Sequence, residues 1–275
     1  MRRPSHDGKQ RVPQIDLKRI RKEFGGKRGT RRWTAINGVD LSVEVGEIVG
    51  ILGPSGCGKS TLLNIVAGLE SDYDGEFTIQ GKAFGQQIAS GFRVAYVFQE
   101  ARLLPWKTVR GNIEFALKAA QFPANEWRDR VDRVLELVEL TRFAGFYPQQ
   151  LSGGMQQRAS IARAFAIEPD ILLMDEPFSA LDEMTAQHLR QSLLKIWSAF
   201  RTTILFVSHN AMEASFLADR VMVMSQGPGA TIREEVSMAG VTRPRSYDDN
   251  SLIEKSKAVV NALRRHSGRS EVALV

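Results

Sequence analysis

The sequence predicts an α/β fold: a parallel sheet flanked by helices, with a small antiparallel β subdomain at its amino end and an inserted α-helical subdomain. Three observations predict it. Apolar runs of strand length at 48–52, 171–174, 203–207 and 220–224 recur between stretches of helical spacing, the pattern of parallel strands covered on both faces. Across residues 14–47, apolar and polar residues alternate, as in Ile15-Asp16-Leu17 and Val39-Asp40-Leu41-Ser42-Val43, the period of half-buried strands. Residues 101–150 change character: 113–120 and 125–140 read as helices separated by Pro123. The second carries Trp127, Val131, Val134, Leu135 and Val138 on one face.

In chain order, a basic arm at 1–13 precedes a principal domain at 14–225, whose helical subdomain covers about residues 101–165. After the strand at 48–52 and a glycine loop, Leu62, Leu63, Ile65, Val66 and Leu69 mark a helix over 59–69. A polar tail at 226–275 contains Pro228, Pro244 and an amphipathic segment at 252–263.

A hydrophobic fraction of 43% and a charged fraction of 25% over 275 residues exclude a disordered, collagen-like or disulfide-scaffold chain. No apolar stretch approaches the roughly 18 residues that span a bilayer, so any membrane role is expected to be peripheral. Arg2 and Arg3 have no apolar segment behind them, so no secretory signal begins there, and a cytoplasmic location is expected. The lone Cys57 agrees with a reducing compartment. Residues 1–32 hold 12 of the 37 Lys and Arg. This basic stretch reads as a solvated terminus and a charged hairpin, and no nucleic-acid partner is expected.

Gly53-Pro54-Ser55-Gly56-Cys57-Gly58-Lys59-Ser60, followed by Thr61, fits a phosphate-binding loop between a strand and a helix. Its glycines let backbone N–H groups turn around an anion, and the helix adds its positive end. Lys59 supplies a full charge to the outer phosphates, and Ser60 can hold Mg²⁺; Cys57 is expected to contribute only its backbone. The apolar run 171–174 ends abruptly in Asp175 and Glu176, at the strand end where open α/β sheets bind ligands. Asp175 is placed for the Mg²⁺ shell, and Glu176 for orienting or deprotonating an attacking water. Leu151-Ser152-Gly153-Gly154-Met155 exposes a hydroxyl and glycine amides where a helix starts, a second anion-binding surface. One chain does not obviously need two such surfaces for one nucleotide, so this one is expected to read the nucleotide held by another subunit. A small-molecule kinase with the same phosphate loop would have no use for it.

That segment resembles the signature of ABC ATPases. The other motifs agree in order: Gln99 after a strand, Ser179-Ala180-Leu181-Asp182 after the acidic pair, and His209 after the strand 203–207. The similarity covers about residues 15–224. It implies a P-loop NTPase core of ABC-ATPase type, using ATP and Mg²⁺. It also implies a head-to-tail homodimer in which each ATP lies between one phosphate loop and Ser152, Gly153 and Gly154 of the other chain. In that picture Gln99 senses Mg²⁺ and the water, and His209 contacts the γ-phosphate. The family stacks an aromatic residue on adenine; Phe24 fits, with Trp33 as its rival because the basic insert 27–32 loosens the alignment.

Just after Gln99, the residues Leu103, Leu104, Pro105 and Trp106 form an apolar segment suited to burial under a partner helix. This segment, the stretch 175–182 and Arg243-Pro244-Arg245 are similar to the nitrate, sulfonate and taurine group of bacterial importers. The resemblance implies a separate transmembrane permease as partner, indirectly an extracytoplasmic solute-binding protein, and a place on the cytoplasmic face of the inner membrane. It does not name the solute.

Overall fold

The computed structural model describes residues 12–25 and 32–267. Most of the basic arm and of the insert 27–32 lies outside these residues. The chain begins with β1 (Ile15–Phe24) and β2 (Trp33–Val43), an antiparallel hairpin. Their alternation buries Ile15, Leu17 and Ile20 on one strand and Val39, Leu41 and Val43 on the other. Next come β3 (Ile48–Leu52), buried throughout, and α1 (Lys59–Val66). The helix ends earlier than expected because Gly68 adopts φ +71°, and Leu69 is left exposed.

β4 (Asp74–Ile79) and β5 (Lys82–Ala83) then join the hairpin in a four-stranded antiparallel sheet of order β2-β1-β4-β5. Gly75, at φ +106°, permits this join, since a Cβ there would lie 2.6 Å from the Lys18 carbonyl oxygen. α2 (Phe84–Ala89) leads to β6 (Val94–Val97). The helical region follows as α3 (Val109–Ala119), α4 (Trp127–Leu137) and α5 (Gly153–Ala166). Val131, Val134 and Leu135 of α4 are buried, as their spacing predicts.

The core resumes with β7 (Ile171–Asp175), α6 (Glu183–Phe200), β8 (Thr203–Ser208), α7 (Ala211–Leu217) and β9 (Arg220–Met224). β10 (Ile232–Ser237) and α8 (Asn250–His266) complete the described chain. The second sheet has the order β10-β9-β3-β8-β7-β6, parallel except for β10. Residues 232–237, read from the sequence as polar tail, thus add an edge strand to this sheet, and α8 packs on α7 and β9. The strands of the main sheet separate two apolar layers. On β7, Leu172 and Met174 enter the layer shared with the helical region, while Ile171 and Leu173 face the antiparallel sheet and α1.

Candidate nucleotide site

The carboxyl ends of β3, β6, β7 and β8 bring the sequence motifs to one edge of the main sheet. After Leu52 the backbone turns through Gly56 at φ +75° and Gly58 at φ +96°, conformations that glycine adopts without strain. Gly53 is needed for a different reason. A Cβ there would approach Cys57 Sγ to 2.9 Å and Met224 Cβ to 3.0 Å, so the loop lies directly on the end of β9. Gly58 caps α1 without a side-chain hydrogen bond, leaving the first amides of the helix free for an anion. Cys57 is buried, burial pushes its thiol up, and its N–H donates to the Pro54 carbonyl at 3.3 Å. Lys59 Nζ donates to the carbonyls of Gly53 at 2.8 Å and Pro54 at 3.0 Å, which holds the ammonium across the loop mouth. Ser55 and Ser60 are exposed and Thr61 is half-buried in the first turn of α1.

Two carboxylates close the site. Ser60 Oγ donates to Asp175 Oδ1 at 3.0 Å, and the Tyr96 hydroxyl reaches Asp175 Oδ2 at 3.4 Å. Burial raises the Asp175 carboxyl, and the neighbouring charge of Glu176 adds to this against the hydrogen bond from Ser60. Glu176 stands at φ +45°, a strained conformation for a side chain of this size, and its N–H donates to the Val207 carbonyl at 3.0 Å. Strand pairing therefore fixes its backbone at the sheet edge. His209 Nδ1 lies 3.3 Å from Glu176 Oε2. Gln99 Nε2 donates to Ser179 Oγ at 3.1 Å, and that hydroxyl donates to the Glu176 carbonyl at 3.0 Å. Gln99, through Ser179, and His209 thus both converge on Glu176, the first at its main-chain carbonyl and the second at its carboxylate.

Behind His209 sits a group that sequence reasoning missed. Glu213 of α7 is buried, 3.8 Å from the fully enclosed Arg190, which also pairs with Glu183 at 2.6 Å and donates to the Ala186 carbonyl at 3.2 Å. Burial pushes the Glu213 carboxyl up to about 7, against lowering by the Ser208 hydroxyl and the Arg190 charge. A carboxyl raised above its usual 4.5 stabilises the fold fully below that value, and the contribution is lost as pH rises through about 7. Glu213→Gln is neutral throughout. The melting temperature of the native protein is therefore expected to fall relative to this variant as pH rises from 4.5 to about 7, and the two profiles should run parallel above that range. Profiles that are parallel within it as well would contradict the assignment.

The second candidate surface is built around Ser152, Gly153 and Gly154. Ser152 caps the 14-residue α5, its Oγ accepting from Met155 N–H at 3.3 Å. Ser152 and Gly153 are exposed, and among the described residues neither hydrogen-bonds to the phosphate loop. Gly154 is buried; a Cβ there would come within 2.5 Å of Thr185 Cγ2, so any larger residue would force Thr185 of α6 to move.

Comparison with known proteins decides what kind of site this is. Residues 36–179 match the ABC transporter family. The chain belongs to that family. It is 46% identical over 231 residues to the nitrate import ATP-binding protein NrtD of Synechococcus elongatus, covering 83% of this chain and 82% of that protein. It is 39% identical over 248 residues to the aliphatic sulfonates import ATP-binding protein SsuB of Bacillus cereus, covering 90% and 94% respectively. Among solved structures, a dimeric ATP-binding cassette bound to ADP and Pi in a post-hydrolysis state superposes with a TM-score of 0.70 at 33% identity. That match covers 82% of this chain and 99% of the cassette. The chain is an ABC ATPase, an ATP-binding and ATP-hydrolysing subunit.

In this ABC ATPase the two candidate adenine-stacking residues are cross-strand partners. Phe24 pairs with Trp33 across the hairpin, their rings stacked with centroids 6.0 Å apart, and both are partly exposed. Trp33, with Thr34 and Asn37, lines a cleft closed by Pro228 and Gly229. The same strand passes over the phosphate loop, because a Cβ on Gly58 would meet the Ala35 carbonyl oxygen at 3.0 Å.

The segment after Gln99 is tied down from two helices of the ABC ATPase. Arg163 of α5 donates to the carbonyls of Ala101 at 3.1 Å and Arg102 at 2.8 Å. The buried Asn112 of α3 accepts from Leu104 N–H at 2.7 Å and donates to the carbonyls of Leu104, Lys107 and Thr108. On this fixed loop Trp106 is 71% exposed, while Leu103 and Leu104 are half-buried and Leu103 packs on the core. Trp106 is therefore no part of the helical core, and Leu103 has less surface left for a partner than its spacing suggested.

Proposed function

We infer that this ATPase energises solute import through a separate membrane permease, for nitrate, a sulfonate, taurine or a related small solute. The observation that carries the reading is the exposed Trp106, held on a rigid loop that begins at Gln99. A permease helix docked there would feel any displacement that the γ-phosphate imposes on Gln99. Among the described residues no helix is long and apolar enough to cross a membrane, so the spanning element of such a system belongs to the partner. The solute class follows the names of the nitrate and sulfonate relatives, and the ATPase lies on the cytoplasmic face of the inner membrane. An extracytoplasmic solute-binding protein would deliver the solute to the permease.

In the chemistry we assign, the phosphate loop from Gly53 to Thr61 binds the phosphates of ATP, with Lys59 compensating the outer charge. Ser60 and Asp175 offer the hard oxygen donors that suit Mg²⁺, and among the described residues no cluster of three or more His, Cys, Asp or Glu competes for it. When bound, Mg²⁺ neutralises charge on the phosphate oxygens. Glu176 takes a proton from the attacking water, His209 orients Glu176 and meets the γ-phosphate, and Gln99 positions the water. Phe24 and Trp33 form an aromatic platform for adenine. A second copy of the chain contributes Ser152, Gly153 and Gly154 to each site, so turnover requires a head-to-tail dimer.

A desolvated Trp contributes on the order of 2 kcal/mol, so Trp106→Ala is expected to weaken permease assembly about thirtyfold. Because the side chain is exposed, melting temperature and basal hydrolysis should stay as in the native protein. Pull-down of a permease co-expressed with this ATPase measures the effect. Undiminished recovery would remove Trp106 from the contact.

A further inference from the structure

The Arg243-Pro244-Arg245 segment, which the nucleotide site does not use, walls a cavity of about 900 Å³ between α6 and residues 237–245. The cavity opens at the amino ends of β8 and β9, the opposite end of the parallel strands from the phosphate loop. Four cations line it, Lys195, Arg201, Arg243 and Arg245, against one carboxylate, Asp219. That carboxylate is already engaged, accepting from Arg243 at 2.7 Å and from the Ile48 N–H at 2.9 Å. Arg245 is only 7% exposed, and among the described residues its Nη1 finds only carbonyls, those of Ser215, Phe216 and Ala218. These bonds cap the end of α7 but carry no charge, and among the described residues Asp219, already shared with Arg243, is the carboxylate that offsets Arg245. Burial and the Arg243 charge accordingly lower the Arg245 guanidinium to about 10.

Trp197 completes the polar wall. It is 6% exposed, and the guanidinium groups of Arg201 and Arg243 lie 4.7 and 4.5 Å from its ring centroid. Three buried donors of these lining residues, Trp197 Nε1, Arg243 Nε and Arg245 Nε, have no acceptor among the described residues. These atoms lie beneath the cavity surface, so what the cavity itself presents is the excess positive charge of its lining side chains. Leu194, Phe216, Met238 and Val241 supply an apolar remainder that a bare inorganic ion would leave unfilled.

We propose that this cavity binds a small organic oxyanion, a carboxylate or sulfonate carried on a short apolar body. The anionic head meets the excess positive charge of Lys195, Arg201, Arg243 and Arg245, and the apolar body covers the aliphatic and aromatic wall. The site is separate from that of ATP and is formed by one chain alone.

Titration calorimetry with hexanesulfonate, hexanoate, hexan-1-ol and inorganic sulfate tests this, with saturating ADP keeping the phosphate loop occupied. Hexanesulfonate and hexanoate are expected to bind one per chain, each roughly tenfold or more tighter than hexan-1-ol or sulfate. The double variant Lys195→Glu, Arg201→Asn changes only exposed side chains, and Asn tolerates the left-handed φ of +55° at position 201. It should weaken hexanesulfonate binding by roughly tenfold or more with an unchanged melting temperature and basal ATPase rate. Absence of binding heat at millimolar hexanesulfonate, equal affinity for hexan-1-ol or sulfate, or full affinity in the double variant would each overturn the proposal.

Discussion

Glu176→Gln is expected to lower ATP hydrolysis by about 10²–10⁴-fold while leaving ATP affinity unchanged, because the amide keeps the shape of the carboxylate but cannot accept a proton. The geometry makes this substitution clean. The backbone of residue 176 is held by its hydrogen bond to Val207 and by the Ser179 hydroxyl on its carbonyl, neither of which involves the side chain that changes. The phosphate loop and Asp175 are likewise untouched. His209 retains an oxygen or nitrogen neighbour at the position now 3.3 Å away, so its orientation survives. Steady-state phosphate release measures the rate and nucleotide titration the affinity. A variant that hydrolyses at the native rate would move water activation to another residue.

The second large effect concerns the shared site. Gly153→Asp should abolish turnover while leaving ATP binding by single chains intact, because the new carboxylate would face the γ-phosphate held by the other chain and repel it. The two adjacent glycines differ as places to test this. A Cβ on Gly153 meets nothing within 4 Å, whereas one on Gly154 would strike Thr185 at 2.5 Å, so only the first substitution spares the packing of α5 on α6. Lys59→Ala should instead lose ATP affinity, since the outer phosphates lose their compensating charge. Mixing the two inactive proteins pairs an intact phosphate loop with an intact Ser152-Gly153-Gly154 segment at one site of each heterodimer. Hydrolysis should reappear in the mixture and in neither component. A mixture as inactive as its parts would count against the head-to-tail arrangement.

The elements that were legible beforehand are those whose signal is local. The phosphate loop is eight consecutive residues, and β3, β7 and β8 announce themselves as buried apolar runs ending where the chemistry starts. The helical region was equally visible, because Trp127 to Val138 keeps one apolar face. What escaped depends on contacts between distant residues. Tyr96 supports Asp175 from 79 positions away. Its only trace was a hydroxyl inside a short apolar strand. Glu213 became part of the site through burial beside Arg190, which no spacing reports. β4 and β5 carry too little apolar alternation to be placed, and β10, with exposed Arg233 and Glu235, reads as tail until β9 is there to pair with it. In the sequence Phe24 and Trp33 compete for one role, because the hairpin register that makes them neighbours lies in the fold.

The account rests on two chains closing around ATP, and the mass of the Glu176→Gln protein in solution tests that most directly. Light scattering in the presence of Mg²⁺ should show a doubled mass with saturating ATP and a single-chain mass with saturating ADP. Adding Gly153→Asp to the same protein should return the ATP sample to single chains. A Glu176→Gln protein that binds ATP to saturation yet keeps the mass of one chain would contradict the shared site.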